Sequence, residues 1–322
     1  MFELETPSIS TLQCHIFAAV YLCNASFQNM AHTTLTIAVR TAQILGLHLD
    51  PPADLPRPQR ELRRCIWWTL YVVETKTCMK LGRPSSVSEV TEACQLPADD
   101  HELARQSLSN IAARGDKVTW FTYCCLVTTL VLAAHTVHSR YWDKCADLLA
   151  ANGARSLYTD AASLKQAAEF FALQMGVITE WLETVPDAMK TGRRGAGEPF
   201  STDGSKLDPE RYATPWLQRQ RLLLEHLYHN MVMNIYRSFI SFPSPSCPPP
   251  NGVVQKHAVS CAKHAATITH VLCETLATND FLKGWYEAYQ WQWNAILLLW
   301  VSCWLIPLTQ RVRAPAQHST RR

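Results

Sequence analysis

Apolar residues along this chain recur three and four positions apart and rarely alternate. Ala31, Leu35, Ala38, Val39, Ala42 and Leu45 follow a helical period, and Gly46 stands where a helix cap belongs. Leu222, Leu223, Leu227, Met231 and Ile235 mark a second such seam, and Ala258, Cys261, Ala262, Ala265, Ile268, Leu272 and Leu276 a third. Leu12 to Cys23 reads as a further apolar helix. Proline agrees with the pattern: none occurs from 8 to 50, from 98 to 185 or from 251 to 306, so those stretches can hold unbroken helices. Alternating strand patterns bounded by turn pairs are missing. The expected fold is all-α and multi-helix, with a basic tail at 306–322 that holds Arg311, Arg313, Arg321 and Arg322.

Two segments break the helical pattern. Thr191 to Pro215 holds Gly192, Gly195, Gly197 and Gly204 with little apolar content, and reads as a mobile loop at about 191–215. Ser241 to Gly252, with Pro248, Pro249 and Pro250, reads as an extended loop at about 241–252. Val118 to Val137 carries no Asp, Glu, Lys or Arg. Its Thr119, Thr122, Thr128, Thr129 and His135 make it a buried helix rather than a membrane span, and Ala295 to Leu308 is too short to cross.

Composition narrows the function classes. Of 322 residues, 48% are hydrophobic and 18% charged, which is a globular balance. A net charge of +3 is too small for nucleic-acid binding by bulk electrostatics. The 12 cysteines are scattered, with no C-x-x-C pair. That argues against a zinc ribbon or thioredoxin-like centre and for a reduced, intracellular setting, consistent with an opening that does not resemble a secretory signal.

Chemical motifs are sparse. The chain has no G-x-S-x-G, no H-E-x-x-H and no Walker loop, so catalysis has no candidate residues. His226 with His229, His135 with His138, and Cys261 with His264 are each spaced to share a helix face. None reaches the four ligands of structural zinc, and no metal or cofactor site is expected. Asp99-Asp100 reads as a solvated acidic doublet. Gln290, Gln292 and Asn294, set among aromatics, are candidates for a polar effector pocket or for helix packing.

The densest run is Arg63-Arg64-Cys65-Ile66-Trp67-Trp68, followed by Glu74 and by Gly82-Arg83-Pro84. Trp67 and Trp68 read as core, each covering about 150–250 Å² when buried. A Glu74–Arg83 pair is expected to fix the turn at Gly82, because a buried Arg needs a carboxylate or carbonyl partner. Arg237 is expected to cap or pin its own helix in the same way.

The order of these elements resembles the fungal-specific transcription factor domain, the regulatory middle region of fungal zinc-cluster transcription factors. Leu45-Gly46-Leu47-His48-Leu49-Asp50-Pro51, the paired Arg and Trp, and Gly-Arg-Pro carry the resemblance. Trp181 to Pro186, Tyr236-Arg237-Ser238-Phe239 and Cys261 to Ala265 extend it, so it covers roughly residues 8 to 305. Glu74 stands where the family usually has Asp, Cys78 where it often has Ser, and Ser238 where it has Pro. Family members usually carry a six-cysteine, two-zinc DNA-binding cluster before this region. Here the first cysteine is Cys14, already inside the helical domain, and the chain is expected to be a short regulator, a truncated product or a fragment.

The resemblance implies a nuclear transcription regulator of a metabolic or secondary-metabolite gene cluster. Such a chain would reach DNA only indirectly or through a missing domain. It would work as a homo- or heterodimer with a related factor, answer to a small-molecule effector, and make no membrane contact. Zinc would belong only to the cluster absent from this chain. The alternative is a helical small-molecule-binding protein or enzyme on the same scaffold.

Overall fold

A computed structural model describes residues 6–87, 94–102, 118–210, 212–240 and 252–305. Residues 241–251 of the expected loop at 241–252, and the tail at 306–322, lie outside them. The elements are α1 (Ile9–Asn24), α2 (Gln28–Ile44), α3 (Arg57–Leu81), α4 (Thr122–Asn152), α5 (Ala161–Gln174), α6 (Gly176–Thr184), α7 (Pro215–Tyr236), α8 (Gly252–Thr278) and α9 (Tyr286–Leu305). Short 3-10 turns lie at Leu157–Thr159, Asp187–Met189 and Arg237–Phe239. The fold is all-α. An isolated antiparallel bridge pairs Arg193 with Leu207.

The helix ends carry their expected chemistry. The Ser8 hydroxyl accepts from the Thr11 amide at 3.1 Å to open α1. Asp160 opens α5 by accepting from the Ala162 and Ser163 amides. Pro58 and Pro215 sit in the first turns of α3 and α7, where a missing N–H costs nothing. Gly82 closes α3 with φ 64°, ψ 36°, a left-handed cap that glycine adopts without strain.

The chain forms two compact units, residues 1–132 and 133–322, and the boundary falls within α4. In the first, α1 packs on α2 and α2 on α3. Leu12, Ile16 and Ala19 meet the seam Ala31, Leu35, Ala38, Val39 and Ala42, while Ile66, Trp67, Trp68, Leu70 and Tyr71 supply the buried face of α3. In the second, α8 is the hub, touching α5, α7 and α9. No described helix is long and apolar enough to cross a membrane, including those built from Val118–Val137 and Ala295–Leu305.

Burial governs the cysteines. Desolvation raises the thiol pKa of Cys65, Cys94 and Cys145 to about 11 and of Cys78, Cys125 and Cys261 to about 12. Cys14, Cys273 and Cys303 are exposed.

Candidate functional site

Each unit is organised around a buried arginine. In the first unit it is Arg64, on α3. Its Nε and one terminal nitrogen grip both carboxylate oxygens of Asp50 at 2.8 Å, a bidentate fork. The other terminal nitrogen donates to Glu61 at 2.7 Å, and Gln95 accepts a fourth bond at 3.2 Å. The carboxylates are themselves shared: Asp50 accepts the Gln95 amide and Glu61 the Ala98 amide. Three separated segments, around 50, 64 and 95–98, are thereby tied together. Asp50 is held below the usual carboxylate range, first by its bond to Arg64. Arg63 turns the other way and donates to the carbonyl of Leu45 at 2.8 Å, satisfying an end of α2.

The paired tryptophans are both buried. Trp68 donates its indole N–H to the Gln95 carbonyl at 2.9 Å and meets Tyr71 edge-on at 5.3 Å. The expected Glu74–Arg83 pair is not formed. Glu74 is buried and accepts from Ser85 Oγ at 2.5 Å, the Ser86 amide at 2.6 Å and Cys78 Sγ at 3.3 Å. Arg83 donates to Asn29 Oδ1 instead, at 2.5 Å, and Pro84 is exposed. The chain leaving Gly82 brings serine hydroxyl and backbone donors to Glu74 before Arg83 can reach it. Asp99 and Asp100 are not a solvated doublet. Asp99 accepts from the Thr119 and Thr122 hydroxyls, and Asp100 pairs with Arg57.

In the second unit the buried arginine is Arg193, inside the glycine-rich segment expected to be mobile. It forms an ion pair with Glu225 on α7, both side chains almost fully buried, and donates to the Ser205 carbonyl at 3.1 Å. Glu225 also accepts the Phe200 amide at 3.1 Å. Burial pushes Glu225 upward, but His229, the Arg193 guanidinium and the Phe200 amide outweigh it and hold its pKa below the usual value. The segment closes on itself, Arg194 to Lys206 at 2.9 Å and Asp208 to Gly192 at 2.8 Å, and Leu207 donates to Glu274 at 3.0 Å. Gly192 is required by close approach: a Cβ there would lie 2.9 Å from the Asp208 carbonyl oxygen. Phe200 is buried and meets Trp181 and Tyr228 edge-on, at 6.2 and 5.4 Å, while those two rings stack on each other at 5.9 Å.

Histidines extend this centre. His229 Nδ1 and His264 Nδ1 are 2.8 Å apart, so one donates and the other accepts. Burial lowers His264 well below the ordinary value and lowers His226 to about 4. Among the described residues no three His, Cys, Asp or Glu side chains gather as a metal site.

Gln290, Gln292 and Asn294 do not converge. Gln290 donates to the Tyr286 hydroxyl at 2.5 Å, Gln292 to Thr269 Oγ1 at 3.1 Å, and Asn294 is half-buried. Successive steps of two residues turn a helix by about 200°, so Gln292 faces away from the other two. A cleft of about 80 Å³ lies elsewhere in this unit, lined by Thr191, Arg194, Leu207, Glu210, Arg221 and Glu274 among others. Arg237 caps α7 through its backbone, donating its N–H to the Met233 carbonyl, while its side chain is exposed. Sequence reasoning missed Arg193, Glu225 and Phe200. The one available signal was a charged Glu225 in the middle of an apolar helical seam.

The segment that bears the Arg64 network lies inside a match to a known family model, the fungal specific transcription factor domain, over residues 1–150. Residues 1–150 are a fungal specific transcription factor domain. Similarity to individual proteins runs further, through the Arg193 centre as well. The transcription factor asqA of Emericella nidulans is 37% identical over 303 residues, covering 92% of this chain and 53% of that protein. The terreic acid cluster-specific transcription factor atF of Aspergillus terreus is 31% identical over 302 residues, covering 92% and 45%. The oosporein cluster regulator of Beauveria bassiana is 22% identical over 316 residues, covering 91% and 41%. The chain spans about half the length of the curated relatives it matches. No solved structure matches it.

Proposed function

We propose that this chain is the regulatory portion of a pathway-specific transcription factor, acting in the nucleus on a fungal secondary-metabolite gene cluster. The observation that supports this most is the reach of the similarity. More than nine-tenths of the chain aligns with asqA and atF, and the family domain accounts only for residues 1–150. In this reading the chain has no catalytic role and reaches DNA through another domain or a partner. The buried Arg64 and Arg193 networks serve to hold a regulatory surface in shape. The site to search for an effector is the cleft beside Arg194 and Arg221, not Gln290, Gln292 and Asn294.

The test is a reporter assay. The chain is fused to a heterologous DNA-binding module and placed upstream of a reporter gene. Transcription is expected to rise or fall at least several-fold, and the change is expected to vanish when Arg193→Ala removes the core pair. A fusion that is stable, nuclear and without effect on the reporter would overturn the reading. So would a gene deletion that leaves every metabolite cluster's transcripts unchanged.

A further inference from the structure

Helix α9 is apolar on both sides. Ala288, Trp291, Ala295, Leu298 and Ser302 form its buried seam, and α9 packs on α8 and α7. A second stripe faces outward: Tyr289, Trp293, Ile296, Leu297, Trp300 and Trp304, between 44% and 75% exposed. Monomeric proteins rarely leave so much contiguous apolar surface in water. Aromatic side chains carry about 150–250 Å² each, so at these exposures the four aromatics alone offer roughly 400–650 Å², to which Ile296 and Leu297 add. A standard interface buries about 800 Å² per partner.

We propose that this stripe pairs with the same stripe of a second copy of the chain, the two α9 helices antiparallel across a two-fold axis near Ile296 and Leu297. The sequence of the stripe supplies the argument for the occupant. Its spacings, four, three, one, three and four residues, read the same from either end. In an antiparallel pair centred between 296 and 297, Tyr289 lies opposite Trp304, Trp293 opposite Trp300 and Ile296 opposite Leu297. Each contact is then made twice, which is the property of a closed two-fold interface. Electrostatics do not oppose it: Glu287 is the one charged residue of α9 and lies outside the stripe. This inference does not rest on the regulatory reading.

Sedimentation of the 322-residue chain decides it. At micromolar concentration the chain is expected to be a dimer. Trp293→Asp with Trp300→Asp is expected to weaken association about 100-fold or more, since buried aromatic anchors dominate such interfaces, with the helical circular dichroism unchanged. Orientation has its own readout. Tyr289→Cys places a thiol one residue out of register with the native exposed Cys303 of the second copy, within reach of it, and mild oxidation is expected to give an interchain 289–303 disulfide, found by peptide mass spectrometry. A chain that is monomeric at tens of micromolar overturns the proposal. A dimer indifferent to the aspartates, or a predominant 303–303 link, overturns it as well.

Discussion

Arg64 and Arg193 hold their units by the same chemistry in different surroundings. Arg64 is forked to Asp50, whose side chain keeps a third of its surface in water. Arg193 and Glu225 are both sealed, at 2% and 1% exposure. A buried pair broken on one side strands a charge that cannot rehydrate, and a half-wet carboxylate can recover its water. Burial of the partner, more than the number of hydrogen bonds, should set what each arginine contributes.

The largest expected effect is therefore at Arg193. Arg193→Ala should destabilise by about 3–5 kcal/mol in urea titration, because Glu225 is left buried and unpaired. Arg64→Ala should cost less, about 1.5–3 kcal/mol, the range for lost hydrogen bonds to charged groups. Equal losses would break the comparison. Acid sharpens it. Asp50 and Glu225 both bind protons less readily folded than unfolded, so their stabilisation is complete above the unfolded values and is lost as pH falls through the folded ones. Thermal melts between pH 6 and pH 3 should fall steeply below about pH 4.5, and Glu225→Gln should flatten part of that fall. The smallest effect is expected at Arg83. Its bond to Asn29 is exposed, so Arg83→Ala should shift stability by no more than about 0.5 kcal/mol. A loss of 2 kcal/mol or more there would restore the Glu74–Arg83 pairing that the structure replaces.

The same two centres show what a sequence discloses. The α2 seam from Ala31 to Ala42 is legible because helical period alone places it inside. Arg64 stands out because its tryptophans and its neighbours are contiguous. Asp50 belongs to a legible motif, but its pairing with Arg64, 14 residues away, is not written in any local pattern, and neither are the contacts of Gln95 and Ala98. Arg193 is harder still. It sits among glycines that signal mobility, and the need for Gly192 arises only when Asp208 returns beside it. Phe200 is hidden for the same reason, as a lone aromatic in a polar loop. The amides at 290, 292 and 294 are close in sequence, but on a helix Gln292 turns away from Gln290 and Asn294.

The cysteines carry a practical consequence. Six thiols whose pKa burial raises to about 11 or 12 are protonated at neutral pH, and four of them, Cys78, Cys94, Cys145 and Cys261, are buried away from reagents. Cys14, Cys273 and Cys303 stand in solvent. Alkylation followed by intact-mass measurement should thus label the native chain sparingly and the loosened chain heavily. With Cys78 and Cys94 reporting on one unit and Cys145 and Cys261 on the other, the chain contains a built-in gauge of which half opens first.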